Sequence, residues 1–352
     1  MYITGIWASS RRVTAAPVAT RYISFSSTVS PFTVTMPFTV GSGYGSRFAN
    51  PSPLAAGSGR AVAFNPTATT IALAHSVTPF NTAWAFSASG YGTKYADPAI
   101  LVGADGKAVT FNPAGTAVAQ GSDTVGSSGT TLIAYPWSDA GGFGTRYSVP
   151  GTVVSIAINS VNWNAAGNTI AFSGTTSPGV GAYAWSDATG FGTKYADPIA
   201  PPDVPAYGVN WNPAGTVVGL GSTLSPFVYA YDWSAGFGTK YANPSPLPAG
   251  AGRGISFTSS GNAIGIGGTV SPTIEAYAWS SGFGTKYGNP ASLPPTISAY
   301  VATNADGQLI GVCGGGSPRQ AIYPWSDATG FGTRYSNPAL LLSAGQNKIV
   351  FI

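Results

Sequence analysis

The fourteen residues "WSDATGFGTKYADP", from Trp185 to Pro198, return at Trp325 as "WSDATGFGTRYSNP". Looser copies lie between and before them, each with a core of Gly, aromatic, Gly, Thr or Ser, a base, then an aromatic. The base falls at Arg47, Lys94, Arg146, Lys194, Lys240, Lys286 and Arg334, in steps of 47, 52, 48, 46, 46 and 48 residues. Seven copies at a steady period in the forties commit the chain to a repeat architecture and leave no room for a second, unrelated domain.

One repeat, Tyr207 to Pro244, reads as four short strands. Val209 and Trp211 alternate with polar neighbours, and "NPAG" makes a tight turn. "TVVGLG" is a small-residue strand, followed by the turn "TLSP". "FVYAYDW" places Tyr229, Tyr231 and Trp233 on one face; "SAGFG" turns again, and "TKYANP" ends at Pro244. We name these strands a to d. The slots recur: Val62/Phe64 to Ile255/Phe257 in strand a, a Ser/Thr-Pro pair after most strands b, and Tyr135/Trp137 to Tyr323/Trp325 in strand c. Four-stranded units repeated seven times around an axis make an all-β, seven-bladed β-propeller. Pro37, Pro136 and Pro324 share the slot between the strand-c aromatics, where a missing amide calls for a bulge or the end of the ladder.

"VTFNPAGTAVAQGS" followed by "LIAYPWSD" resembles the WD-repeat propellers, whose units carry a turn, a small-residue strand and a strand ending in Trp-Asp. The resemblance covers nearly the whole chain and implies the propeller fold. That family's buried His–Ser–Trp–Asp network needs a His in most blades, and this chain has only His75. The hairpin "SDATGFGTKY" is similar to the Asp-box hairpin of sialidase propellers, with different spacing. Neither family's chemistry carries over. The wording of the repeats also resembles propeller proteins of tailed-bacteriophage genomes.

The ring is expected to close through its ends. Residues 1–21 read as an N-terminal arm and 22–352 as the propeller, with blade 1 made of 22–48 plus 347–352. Ile23 to Phe48 align with Ile170 to Tyr195 and supply strands b, c and d only. "NKIVFI", from Asn347 to Ile352, matches "GRAVAF" at Gly59 and supplies the missing strand a. Ile349–Phe351 should therefore pair with Ile23–Phe25, removing the open edges. The arm is expected to dock on a partner subunit or its own ring through Trp7.

Only 7% of residues are charged, against roughly 25% in ordinary soluble domains. Blades covered on both faces explain that without a membrane. The net charge of +4 gives nucleic-acid binding little support, and no apolar run reaches the ~18 residues of a membrane span. The N-terminus lacks the pattern of a secretory signal. One Cys, Cys313, excludes an intrachain disulfide or cysteine metal site and reads as a small buried residue. The 11 acids are scattered through turns without recurring pairs, and His75 has no repeated acid beside it. No catalytic, metal or cofactor-binding residue is expected.

These observations lead to the expectation of a non-enzymatic binding or structural module of a virion, with a glycan-binding lectin as the first alternative, an enzyme in the axial channel as the second, and extracellular location as the alternative to virion. Partners would be other virion proteins or a host-surface receptor or glycan, within an oligomeric assembly. Two binding surfaces are candidates. One is the cationic set Arg47, Lys94, Arg146, Lys194, Lys240, Lys286 and Arg334. The other, favoured, is the face of the d–a connections, at loops 98–106, 198–207 and 290–299, with Pro201, Asp203 and Pro294. The strand-c Tyr/Trp pairs read as blade-to-blade core, not as sugar-stacking platforms.

Overall fold

A computed structural model describes residues 21–124, 129–152, 155–294, 298–340 and 345–352. Among them 28 strands and no helix form seven four-stranded antiparallel sheets, a seven-bladed propeller. Blade 4 shows the plan: strand a is Ile158–Trp163, b Thr169–Gly174, c Val180–Ser186 and d Gly190–Lys194. Strands a of successive blades lie side by side around the axis. Trp7 and most of the arm fall outside the described residues, while Arg21 begins strand b of blade 1 and its guanidinium pairs with Asp306 of blade 7.

The ends of the chain meet as expected. Gln346–Phe351 is the innermost strand of blade 1, with Phe351 opposite Ile23 and Ile349 opposite Phe25. Tyr22 and Ile352 exchange backbone hydrogen bonds at 3.0 Å. In blades 2 to 7 strand b is buried along its length, as in Thr169–Gly174 and Val217–Ser222, which is why small residues such as Ala, Gly, Val and Ser recur there.

The Pro slot of strand c is a bulge site. Where it holds Ala or Asp, the c–d register shifts there, between Tyr183 and Trp185 for example, and pairing continues to the Lys of strand d. Where it holds Pro37, Pro136 or Pro324, strand d is only two residues long: Gly43–Tyr44, Gly142–Phe143 and Gly330–Phe331. A proline has no N–H to offer strand d, so the ladder stops.

The strand-c aromatics are core. Tyr135, Tyr183, Tyr231, Tyr277 and Tyr323 are at most 1% exposed. Trp185 meets Tyr147 of the preceding blade, Trp163 and Phe191 edge-to-face, at 5.0, 5.3 and 5.1 Å between centroids. Such pairs add about 0.5–1.5 kcal/mol each beyond burial. The repeated motif is thus a seam between blades. Tyr147 also donates its hydroxyl to the Asp187 carbonyl (2.7 Å), and Asp187 accepts from Trp185 Nε1 (2.8 Å) and, across the seam, from Asn112 Nδ2 (3.0 Å) and the Thr116 hydroxyl. Asp139 does the same with Trp137, Asn65, Thr69 and Thr70, and Asp327 with Trp325 and Ser260. The Trp-Asp pair therefore works here with Asn, Thr and Ser partners in place of His.

Candidate functional site: the axial channel

Strand a enters each blade from its d–a connection with a bulge against strand b. The register shifts between Gly59 and Ala61, Gly106 and Ala108, Ile158 and Ser160, Ala206 and Val209, and Gly252 and Gly254. The residues set free of the ladder include Arg60, Lys107, Asn159, Tyr207 and Arg253. A bulge re-aims a side chain, and bulges gather beside active sites. The glycines before three of these bases are sterically required. A Cβ on Gly59, Gly106 or Gly252 would stand 2.3–2.4 Å from the carbonyl of Phe32, Phe80 or Phe227 in the b–c turn of the preceding blade.

Arg60, Lys107 and Asn159 converge on the axis. A cavity of about 210 Å³ is lined by Arg60, Lys107, Asn159, Tyr300 and Lys348, with a floor that includes Thr110, Asn162, Asn210, Ser256 and Thr303. A second space of about 370 Å³ opens toward the a–b turns and shares Asn162, Asn210, Ser256 and Thr303 with the first, so the channel has a polar waist. Ser256 and Thr303 hydroxyls meet at 2.9 Å, and Asn210 Oδ1 accepts from the Phe257 amide at 3.0 Å.

Charge at the d–a mouth is arranged from blade to blade. Arg60 donates to Asp105 through Nε (3.2 Å) and a terminal nitrogen (2.9 Å). Lys107 lies between Asp105 (3.2 Å) and Asp123 (3.3 Å). Arg253 stacks over the Tyr207 ring at 4.6 Å, and Lys348 Nζ lies 4.8 Å from the Tyr300 ring centroid. Lys348 has no carboxylate within salt-bridge distance among the described residues, which hold all 11 acids of the chain. It is half-buried by area but deep in the channel, and burial lowers its pKa to about 8. The same burial raises Tyr300 to about 12 and pushes the Cys313 thiol well above its usual range.

The candidates from sequence fall elsewhere. The seven motif bases lie along the outer strands d or just beyond them. Lys94, Lys194, Lys240, Arg47 and Arg334 are tied to the Asp or Asn three residues on, as in Lys94–Asp97 at 2.6 Å and Lys240–Asn243 at 2.9 Å. Lys286 turns instead to Glu275, which is buried and also accepts from the Ala249 amide at 2.9 Å. On the d–a face, Pro201 is exposed, Pro294 is buried, and Asp203 accepts from the Tyr229 hydroxyl at 3.0 Å. The d–a connections are firmly seated: carbonyls of Pro53, Ile100, Thr152, Ala200, Pro246 and Ser292 each accept from a strand-c Trp or Tyr of the next blade, at 2.5–3.0 Å. All ten exposed large aliphatics among the described residues stand on this face, from Leu54 and Ile199 in d–a connections to Val77 and Val270 in b–c turns.

His75 is fully buried and shares a hydrogen bond with Thr82 Oγ1 at 2.9 Å; burial lowers its pKa to about 4. Cys313 is buried, as its small slot suggested. The bulge bases were missed because they do not recur in every blade. The pattern Gly, base, any residue, Val or Ile, any residue, Phe at Gly59, Gly106 and Gly252 was the signal available.

No family model matches the chain, and no curated protein matches it. Among solved structures it is similar to a proposed 6-phosphogluconolactonase of Bacteroides fragilis (13% identity, 96% of this chain and 99% of that one, TM-score 0.73). A proposed 6-phosphogluconolactonase of Bacteroides uniformis follows at 13% identity, 95% and 99% coverage and TM-score 0.71. A periplasmic gluconolactonase of Pseudomonas aeruginosa has 12% identity, 94% and 99% coverage and TM-score 0.68. At this identity the likeness establishes the fold. It also corrects the expectation of a non-enzymatic virion module or lectin, because propellers of matching extent bear the names of lactone hydrolases. That expectation sought paired acids recurring in every blade, whereas the axial charges here come from positions that break the repeat.

Proposed function

We propose that the protein hydrolyses the lactone ring of an anionic sugar acid, in the axial cavity at its d–a mouth. The observation that carries this reading is the convergence of Arg60, Lys107 and Lys348 on one cavity, in a chain with 15 Lys and Arg of which seven serve the repeated seam motif. The names of the similar structures support the reaction class.

Lactone opening needs an anchor for the substrate's anion, a positive group near the carbonyl oxygen, and a base for the attacking water. Asp105 holds the Arg60 guanidinium in a two-point pair, so its remaining N–H donors keep a fixed direction. Lys107, fixed between two carboxylates, places a second positive charge beside it. Asp105 is occupied by both cations and orients them. Asp123, with 44% of its side chain exposed and one ion pair, keeps an oxygen available to take the proton of water.

The test is proton release from 6-phosphogluconolactone and from unphosphorylated gluconolactone, each measured against spontaneous opening. Hydrolysis above that background is expected, with KM for the phosphorylated lactone rising about tenfold or more in Arg60→Gln while the melting temperature holds. Hydrolysis of neither lactone above background overturns the reading.

A further inference from the structure

We propose that Lys348 is a covalent carbonyl-binding site, whose amine forms an imine with a small anionic aldehyde or keto acid drawn into the axial cavity by Arg60 and Lys107. The site stands apart from the hydrolase reading, since it needs neither a lactone nor an activated water.

Four observations meet at this side chain. Lys348 lines the cavity, on the strand that closes the ring, with Arg60 and Lys107 in the same wall. It has no anionic partner, whereas every other described lysine has a carboxylate or an Asn within reach. Its ammonium faces the Tyr300 ring at 4.8 Å, with the buried Cys313 the other titratable group acting on it. Burial thus favours the neutral, nucleophilic amine, and desolvation of a lysine is one way that amines are activated toward carbonyls. A space of about 210 Å³ has room for a small oxoacid, and Arg60 and Lys107 in its lining select one that carries a carboxylate or phosphate.

The step balances within the named groups. The neutral Nζ attacks the carbonyl carbon, and the C=O π pair moves to oxygen, which takes one proton from the nitrogen. The nitrogen lone pair then forms the C=N bond as the C–O bond breaks, and the second N–H proton leaves with that oxygen as water. No oxidant or reductant is needed.

The test uses the full-length protein with glyoxylate and cyanoborohydride at pH 7, where trapped imines become secondary amines located by peptide mass mapping. At a pKa of about 8 the neutral fraction at pH 7 is roughly two hundredfold that of an ordinary lysine near 10.4, so Lys348 should be labelled first among the lysines, by a comparable order of magnitude. Labelling of Lys348 by glyoxylate should exceed that by uncharged propanal, and Arg60→Gln with Lys107→Gln should remove this preference without removing propanal labelling. Lys348→Arg, melting as the parent does, should show no early label. Labels spread over Lys94, Lys194 and Lys240 ahead of Lys348 would overturn the site. Equal labelling by glyoxylate and propanal in the parent would overturn the anionic ligand class.

Discussion

Gly190 shows what one residue of the repeated motif does. Its φ is +79°, and a Cβ there would lie 2.7 Å from Tyr147 Cβ of the preceding blade. Conformation and contact both demand glycine. Gly190→Ala should cost about 1–3 kcal/mol, read as a lower denaturant midpoint with unchanged m-value. His75 gives a pH dependence. Its native pKa of about 4 lies below the ordinary histidine value of 6.5, so the unfolded chain binds a proton first as pH falls. Its contribution is present above pH 6.5 and is lost progressively between 6.5 and 4, at up to about 1.4 kcal/mol per pH unit. His75→Gln should flatten the stability curve in that window; a curve as steep as the parent's would contradict the assignment. The glycine was legible in sequence as part of a motif. The Tyr it must clear was not, because the two residues belong to different blades.

At the scale of elements, hydrophobic alternation and turn residues specify strands almost unaided. The length of strand d follows from a single position in strand c. Ala184→Pro should shorten Gly190–Lys194 toward the two-residue form of blades 1, 3 and 7. Hydrogen exchange at 193–194 should then accelerate, while the Gly192 amide stays protected, as Gly45, Gly144 and Gly332 are by the Pro carbonyl, and blade 5 is unaffected. The closing strand is another such element. Removing Gln346–Phe351 exposes the apolar faces around Ile23, Phe25 and Leu309. Aggregation and a lowered melting temperature are expected, and an unchanged melting curve would show that the ring does not depend on closure. The closure was readable because strand a is missing at one end of the repeat and present at the other. The strand-a bulge was not, since it depends on the b–c turn of the preceding blade filling the space where a Cβ would stand.

For the whole molecule, the charges divide into two populations with different work. Asp139, Asp187 and Asp327 hold blades together, while Arg60, Lys107 and Asp105 line the mouth and bond little of the scaffold. For Asp139, burial opposes ionisation, but hydrogen bonds from Thr69, Trp137, Thr70 and Asn65 outweigh it and hold the carboxyl below its usual range. Asp105→Asn should therefore change stability by less than about 1 kcal/mol while altering turnover or KM, because partly exposed ion pairs contribute little to folding. Asp139→Asn should do the reverse, lowering the melting temperature with KM unchanged.

The sequence by itself determined the strand order, the number of blades, the closing pair and the burial of Tyr183 and Trp185, since each follows from periodicity, turn chemistry and the need to cover apolar faces. Only the tertiary structure decided where chemistry concentrates. Arg60, Lys107 and Lys348 are separated by up to some six blades of chain, and nothing local marks them as neighbours. Closing the ring sets seven inner strands side by side, and their irregular positions then face a common axis, where charges from different blades meet.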